Sequence, residues 1–318
     1  MKRYKIKQWL ILAMLTLITG VCLIGWQTQG MAQSSPSQPA VTLSTSQLTL
    51  AEVGTGIYAL VADTDFPNDQ PNAAVCNGGI IIGDDGVLVI DPFQTKGLGD
   101  LLLNTVKTLT DKPIRYVLNT HFHFDHTGGN SAAVAQGIPI IGRGPIRQFM
   151  LEKNLEYDPN PQLPSIIMNE NGSIWLGNRQ VILETAEGHT MGTDLLAYIP
   201  DAKVMFTGDI LFNKRFPYIT DGNIRQWQKT LITLKKDYND VKFVPGHGPI
   251  TDSRGLDSLK TYLDKLETLA MTWKEKKIPE EQAINSASKI PDAYKDYKFQ
   301  ALYGSNLKAA YQQITLGN

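Results

Sequence analysis

The chain reads as one layered α/β domain, and three observations carry that reading. Short β-rich runs alternate with helical stretches along most of its length, the pattern of strands and helices packed in layers. The helical stretches are amphipathic, with leucines recurring at spacings of three and four. With 318 residues, 42% of them hydrophobic and 19% charged, there is ample apolar material for a sizeable core, and disordered and collagen-like classes are excluded.

From the N-terminus, Met1 to Lys7 carries Lys2, Arg3, Lys5 and Lys7, and Trp9 to Trp26 follows without a charge. These are the n-region and h-region of an export signal, and the small residues Gly30 and Ala32 place cleavage after Ala32. Residues 1–32 are therefore read as a signal peptide. An uncleaved membrane anchor is the alternative, since 18 apolar residues just suffice to span a bilayer. Lipid attachment at Cys22 fits less well, because Val21 precedes it. The expected location is periplasmic or extracellular, or tethered to a membrane and facing outside the cytoplasm.

Residues 33–41 are a polar Ser/Pro-rich linker, and 42–318 form the folded body. Removing residues 1–32 changes 30 basic against 31 acidic side chains to 26 against 31. Nothing in that balance calls for a nucleic-acid partner, which would need a basic face. Cys76 is the one cysteine of the mature chain, so no intrachain disulfide is possible and a buried thiol is expected.

Strands are expected at Gly56 to Ala62, Gly78 to Ile82, Val87 to Asp91 and Ile114 to Asn119. Between the third and fourth lies a helix with Leu98, Leu101, Leu102, Val106 and Leu109 on one face. The second half repeats the style, with strands at Val181 to Thr185, Leu195 to Ile199, Val204 to Thr207 and Val241 to Val244. Helices follow at Asn223 to Tyr238 and Asp252 to Lys276. The tail from Pro279 to Asn318 reads as further helix packed on the body, being too short to bury a core alone.

The chain has five histidines, His121, His123, His126, His189 and His247, each at the end of an expected strand. The first group reads Thr120-His121-Phe122-His123-Phe124-Asp125-His126. In extended chain, alternate side chains share a face, so His121, His123 and Asp125 converge, and the bend toward Gly128 brings His126 round. Four ligand-type side chains in six residues make a metal nest, with donors that suit zinc or iron rather than calcium. Phe122 and Phe124 then alternate to the opposite face, where core packing is their expected role. Downstream stand Glu187-Gly188-His189-Thr190, Phe206-Thr207-Gly208-Asp209 and Pro245-Gly246-His247-Gly248. An isolated Gly-His or Gly-Asp is more often a turn, but an ordered set at strand ends is how catalytic groups gather at one edge of a sheet.

That order, His-x-His-x-Asp-His, Gly-His-Thr, Thr-Gly-Asp and Gly-His-Gly, resembles the metallo-β-lactamase superfamily from about Val53 to Gly248. The resemblance implies an αββα fold, two β-sheets between helical layers. It gives one metal His121, His123 and His189, the other Asp125, His126 and His247, and makes Asp209 the bridge. It marks Asp91 as the acidic residue that supports the metal loop. The implied cofactor is Zn2+, two ions, ahead of iron or manganese, and the implied nucleophile is a hydroxide shared between them. Asp125 would also orient that nucleophile, although a zinc-bound carboxylate is a weak base.

Asp209 stands where β-lactamases of the cysteine type have their cysteine, and the Thr-Gly-Asp motif resembles the glyoxalase II type of thioester hydrolase. The expected reaction is therefore hydrolysis of an ester, thioester or cyclic amide in a small-molecule substrate. A β-lactamase proper and an iron-dependent oxidoreductase of the same fold are the alternatives. His123, where the flavin-linked di-iron kind carries Glu, disfavours the oxidoreductase, and the full ligand set disfavours a non-catalytic binding protein. Specificity is expected from Asn154 to Asn171 and from Leu211 to Asp221. Lys214 and Arg215, close behind Asp209, are the expected holders of a substrate carboxylate.

Overall fold

The computed structural model describes residues 41–66, 70 and 72–317; the signal segment and nearly all of the linker lie outside the described residues. Two sheets stand face to face. The first runs β1 (Leu48–Gly54), β2 (Ile57–Ala62), β3 (Gly78–Ile82), β4 (Val87–Ile90), β5 (Ile114–Leu118), β6 (Ile140–Arg143) and β7 (Ile166–Met168), in that spatial order. The second holds β8 (Gly172–Leu176), β9 (Arg179–Thr185), β10 (Leu195–Ile199), β11 (Val204–Phe212) and β12 (Lys242–His247), in the order β12-β11-β10-β9-β8. The helices are α1 (Lys96–Leu109), α2 (Phe124–Thr127), α3 (Asn130–Ala135), α4 (Ile146–Lys153), α5 (Ile224–Asp237), α6 (Ser253–Glu275), α7 (Glu280–Ser286) and α8 (Leu302–Ala310).

Three apolar layers hold the stack together. Ile57, Ile81, Leu88 and Leu118 of the first sheet meet Val181, Leu183, Leu195 and Phe206 of the second, with side chains alternating in and out as the strand repeat requires. On the outer face of the first sheet, Val87, Val89 and Val117 pack with Leu98, Leu102 and Val106 of α1 and with Ala132 and Ala133 of α3. On the outer face of the second, Met205 and Phe243 pack with Trp227 and Leu231 of α5, Leu259 and Leu263 of α6, and Leu307 of α8. The result is the expected αββα sandwich, and the residues after Pro279 complete its last layer.

Two strand-helix-strand units aim the chain at one edge. β4, α1 and β5 form a parallel pair with its crossover helix, capped at its start by Thr95, whose side chain accepts a hydrogen bond from Leu98 N. β11, α5 and β12 form another, with Asn223 capping α5 through Gln226 N. Parallel strands deliver their carboxyl ends to the same side, where loops are free to hold a ligand. Asp91 and His121 follow β4 and β5, Asp209 lies in the second half of β11, and His247 ends β12.

Elements differ from expectation in three places. β11 continues to Phe212 instead of stopping at Thr207, and all nine of its residues are buried. The chain does not stay extended through the His-rich motif: β5 ends at Leu118, and residues 124–127 form the helical turn α2. β1, β6, β7 and β8 were not anticipated.

Candidate metal centre

Donor atoms of His121, His123, His189 and Asp209 lie within 4.8 Å of one another, and those of Asp125, His126 and His247 do likewise. Asp209 belongs to both neighbourhoods. Its Oδ2 is 3.6 Å from His121 Nε2 and 3.5 Å from His189 Nε2, while Oδ1 is 3.1 Å from His126 Nε2 and 3.2 Å from His247 Nε2. The seven side chains that the sequence singled out as ligands thus come together from separate stretches of chain. Asp125 arrives on a helical turn rather than in extended chain.

Each imidazole turns one nitrogen inward and anchors the other. His126 Nδ1 is 2.8 Å from Asp91 Oδ2; the two oxygens of that carboxylate also accept from Thr120 N at 2.8 Å and Thr120 Oγ1 at 2.7 Å. His121 Nδ1 is 3.0 Å from Thr120 Oγ1. His189 Nδ1 lies 3.2 Å from Asp194 Oδ1, whose Oδ2 accepts from Thr190 N. His123 Nε2 lies 3.0 Å from Asp221 Oδ2, and His247 Nδ1 is 3.1 Å from the Val75 carbonyl. Such outer partners fix which nitrogen is presented. Asp194 and Asp221 escaped sequence reading; the one usable signal was Asp194 closing the turn that starts at Gly188-His189-Thr190.

The inward atoms are short of partners. His189 Nε2 and Asp209 Oδ1 are buried without an aligned hydrogen bond. His121 Nε2 faces His123 Nδ1 at 3.0 Å, and His126 Nε2 faces His247 Nε2 at 3.4 Å. Lone pairs converging at that range are what a cation would satisfy. The backbone leaves room as well: a Cβ at Gly246 would stand 2.0 Å from Asp209 Oδ1, so only glycine lets β12 approach the bridge.

Electrostatics point the same way. Burial would raise the Asp209 carboxyl, yet the surrounding rings, His247 and His126 foremost, hold it well below the usual carboxylate range. Burial likewise opposes charge on Asp125, but His126 and His247 outweigh it and hold the carboxyl at about 2. Burial opposes charge on His247, but Asp209 and Asp125 lift it to about 9. Burial and the neighbouring His126 push His121 well below the ordinary histidine value. Two ionised carboxylates among five imidazoles make a pocket that favours positive charge.

Two struts cross the seam between the sheets beside this cluster. Asn77 receives a bond from Ala62 N at 2.9 Å and donates to the carbonyls of Pro245 and Gly248, both at 2.8 Å. Arg143, closing β6, donates to the carbonyls of Ala186 and Asp194. The first strut fixes the His247 loop, the second the His189 loop.

A cavity of about 540 Å³ opens over the cluster. Phe122 and Phe124 both line it, so they are not simply core: Phe122 also packs on Ile146 and Met150, and Phe124 stacks on Tyr157. From the expected overhangs it takes Asn154, Glu156 and Tyr157 on one side and Phe212, Tyr218 and Asp221 on the other. Lys214 and Arg215 do not line it. The Arg215 guanidinium is buried against Asp63 at 3.5 Å and over the Phe299 ring, while Lys214 is exposed. β11 keeps Phe212 at the cavity, and the chain then turns Arg215 onto Asp63 and Phe299 rather than toward the cluster. The lysine that faces the cavity is Lys153, at the end of α4, paired with Asp221.

A model of the metallo-beta-lactamase superfamily matches residues 52–247. The chain belongs to the metallo-beta-lactamase superfamily. Among curated members of the superfamily, a hydroxyacylglutathione hydrolase of Pelagibacter ubique is 31% identical over 163 residues, covering 50% of this chain and 60% of that protein. The chain thus spans less than two thirds of that relative. A metallo-beta-lactamase type 2 of a Bacillus species is 20% identical over 226 residues, 70% of this chain and 84% of that protein. The fold is also shared with the metallo-beta-lactamase of Pontibacter korlensis, at TM-score 0.60 and 22% identity over 69% of this chain and 99% of that one. A stereoselective inverting sec-alkylsulfatase of a Pseudomonas species aligns at TM-score 0.62 and 19% identity, over 84% of this chain and 50% of the other.

Proposed function

We propose that the chain is an exported, binuclear zinc-dependent hydrolase that cleaves an ester, thioester or cyclic amide of a small molecule. The observation that carries this reading is Asp209, which offers one carboxylate oxygen to each of two donor groups. His121, His123 and His189 would hold one ion and Asp125, His126 and His247 the other, with Asp209 between them. Imidazole and carboxylate donors in this number suit zinc. When bound, such a pair supplies a water-derived nucleophile near neutral pH and polarises a carbonyl.

The chain's own groups do the rest. Asp125, on the cavity wall and 26% exposed, stays ionised at neutral pH, so its free oxygen accepts a hydrogen bond and orients a water rather than carrying its proton. Asp91, Asp194 and Asp221 keep three imidazoles in the required tautomer. The aromatic walls exclude competing water from the reacting carbonyl. The charged N-terminus followed by an apolar stretch supports export, with an uncleaved tether as the alternative, and the acidic balance supports a partner that is not nucleic acid.

The test uses the zinc-loaded chain from Gln33 to Asn318, with His123→Ala as control. It is offered a thioester such as a hydroxyacylglutathione, simple esters and a chromogenic cephalosporin. Turnover that chelation abolishes and His123→Ala lacks supports the reading, and the preferred substrate separates thioester hydrolase from β-lactamase. A metal-replete protein inert toward all three classes overturns it.

A further inference from the structure

Two residues of the cavity's apolar wall, Phe299 and Leu302, lie beyond the superfamily match. Phe299 lies after the 3-10 turn of residues 292–294, its ring 5.1 Å from that of His247 and 5.9 Å from that of Phe66. It lines the cavity although it is 3% exposed. Its backbone sits at φ 63, a left-handed conformation that side-chain-bearing residues avoid.

Several contacts hold the backbone there. Phe299 N donates to Asp65 Oδ1 at 2.7 Å, and Lys298 Nζ donates to Asp63 Oδ1 at 2.7 Å. Lys298 exchanges backbone bonds with Lys214 and Phe216, and the Arg215 guanidinium lies over the Phe299 ring at 5.8 Å. The segment Lys214–Phe216 therefore bears on the cavity indirectly, by seating the tail. A side-chain-bearing residue stays in this conformation only where its surroundings fix it, as these contacts do.

The walls of the cavity differ in chemistry. Beside His123 stand Asp221, Lys153 and Tyr218. Beside His247 stand Phe299 and Phe212, with Phe66, Leu302 and Val75 on the same lining. We propose that Phe299 is a specificity-determining residue that selects substrates whose acyl group is extended and apolar, aliphatic or aromatic, and seats that group on the His247 side. This rests on the hydrolase reading above.

The experiment compares acetyl, butyryl, hexanoyl and phenylacetyl thioesters of N-acetylcysteamine, which share one small polar leaving group. In the zinc-loaded chain, kcat/KM climbs by up to about fourfold for each methylene that becomes buried. Phe299→Gly, which keeps the backbone without strain, flattens that climb, and Phe299→Leu restores most of it; metal content and melting temperature are measured on each variant. The same four acyl groups are presented as aceto-, butyro-, hexano- and phenylacetohydroxamate, and their affinities are read by calorimetry without turnover. A climb that survives in Phe299→Gly, or its absence from the unmodified chain in both series, overturns the assignment. Failure of every thioester with a metal-replete protein would count against the hydrolase, and the hydroxamate series then still decides whether Phe299 reads the acyl group.

Discussion

The two donor groups share Asp209 but are embedded differently. The group of His121, His123 and His189 is held by side-chain carboxylates, Asp221 and Asp194, and opens toward Lys153 and Tyr218. The group of Asp125, His126 and His247 leans on Asp91 and a main-chain carbonyl, and its surroundings are Phe212, Phe299 and the Cys76 thiol. Both groups therefore lean on a carboxylate, but the first meets the cavity through charged and polar side chains and the second through packed aromatic rings. Substitutions should separate them, since a carboxylate partner can be neutralised in place while a packed wall can only be emptied.

Asp209→Ala breaks both halves at once. Bound metal should fall well below two ions per chain by elemental analysis, and turnover should drop by more than the ~100-fold that bounds the loss of an outer partner. Retention of two ions would show that Asp209 does not join the groups. Next in size, Asp91→Asn should weaken metal affinity in both groups, since Asp91 holds His126 directly and His121 through Thr120, whereas Asp221→Asn should weaken the His121, His123 and His189 group alone, each by about 10- to 100-fold. Competition with a chromophoric chelator reads Asp221→Asn as one weakened and one preserved binding step, and two equally weakened steps in that variant would erase the distinction.

Asn77→Ala removes three buried side-chain hydrogen bonds beside His247. A loss of about 2 kcal/mol in stability by urea denaturation is expected, because main-chain groups are left unpaired. Smallest is the effect of a thiol reagent on the native chain. Burial pushes the Cys76 thiol up to about 12, so it stays protonated throughout the neutral range. Iodoacetamide at pH 8 should leave the native chain from Gln33 to Asn318, whose one cysteine is Cys76, unlabelled and modify it promptly in denaturant. The raised value also means that the stability from a neutral Cys76 is fully present below the unfolded pKa, near 9, and is lost as pH rises from there toward 12.

The ligands were legible in the sequence because they are local. Four donors packed into His121 to His126 have little use except to surround a cation, and the glycines beside His189 and His247 lie near strand ends, whereas Gly208 beside Asp209 falls inside β11. The residue pattern alone gave a layered α/β domain; the sandwich followed from the resemblance those motifs carry. Partnerships between distant segments were not legible. Asp221 meets His123 across 98 positions, and nothing local distinguishes it from any other surface aspartate. Lys153 reaches the cavity from α4, whereas Lys214 and Arg215, close to Asp209 in sequence, turn to solvent and onto Asp63. Phe299 was hidden for a further reason: its position depends on a tail segment folded back onto β11's outgoing loop.

Asn77 and Arg143 span the joint between the sheets on either side of the cluster. Both grip main-chain carbonyls, so the spacing they set does not depend on which side chains fill the pocket. The sheets are thereby tied to each other through the main chain on both flanks of the donors, as a jig holds two parts for fitting. Alignment of donors from the two sheets is thus a property of the backbone scaffold as much as of the donors themselves.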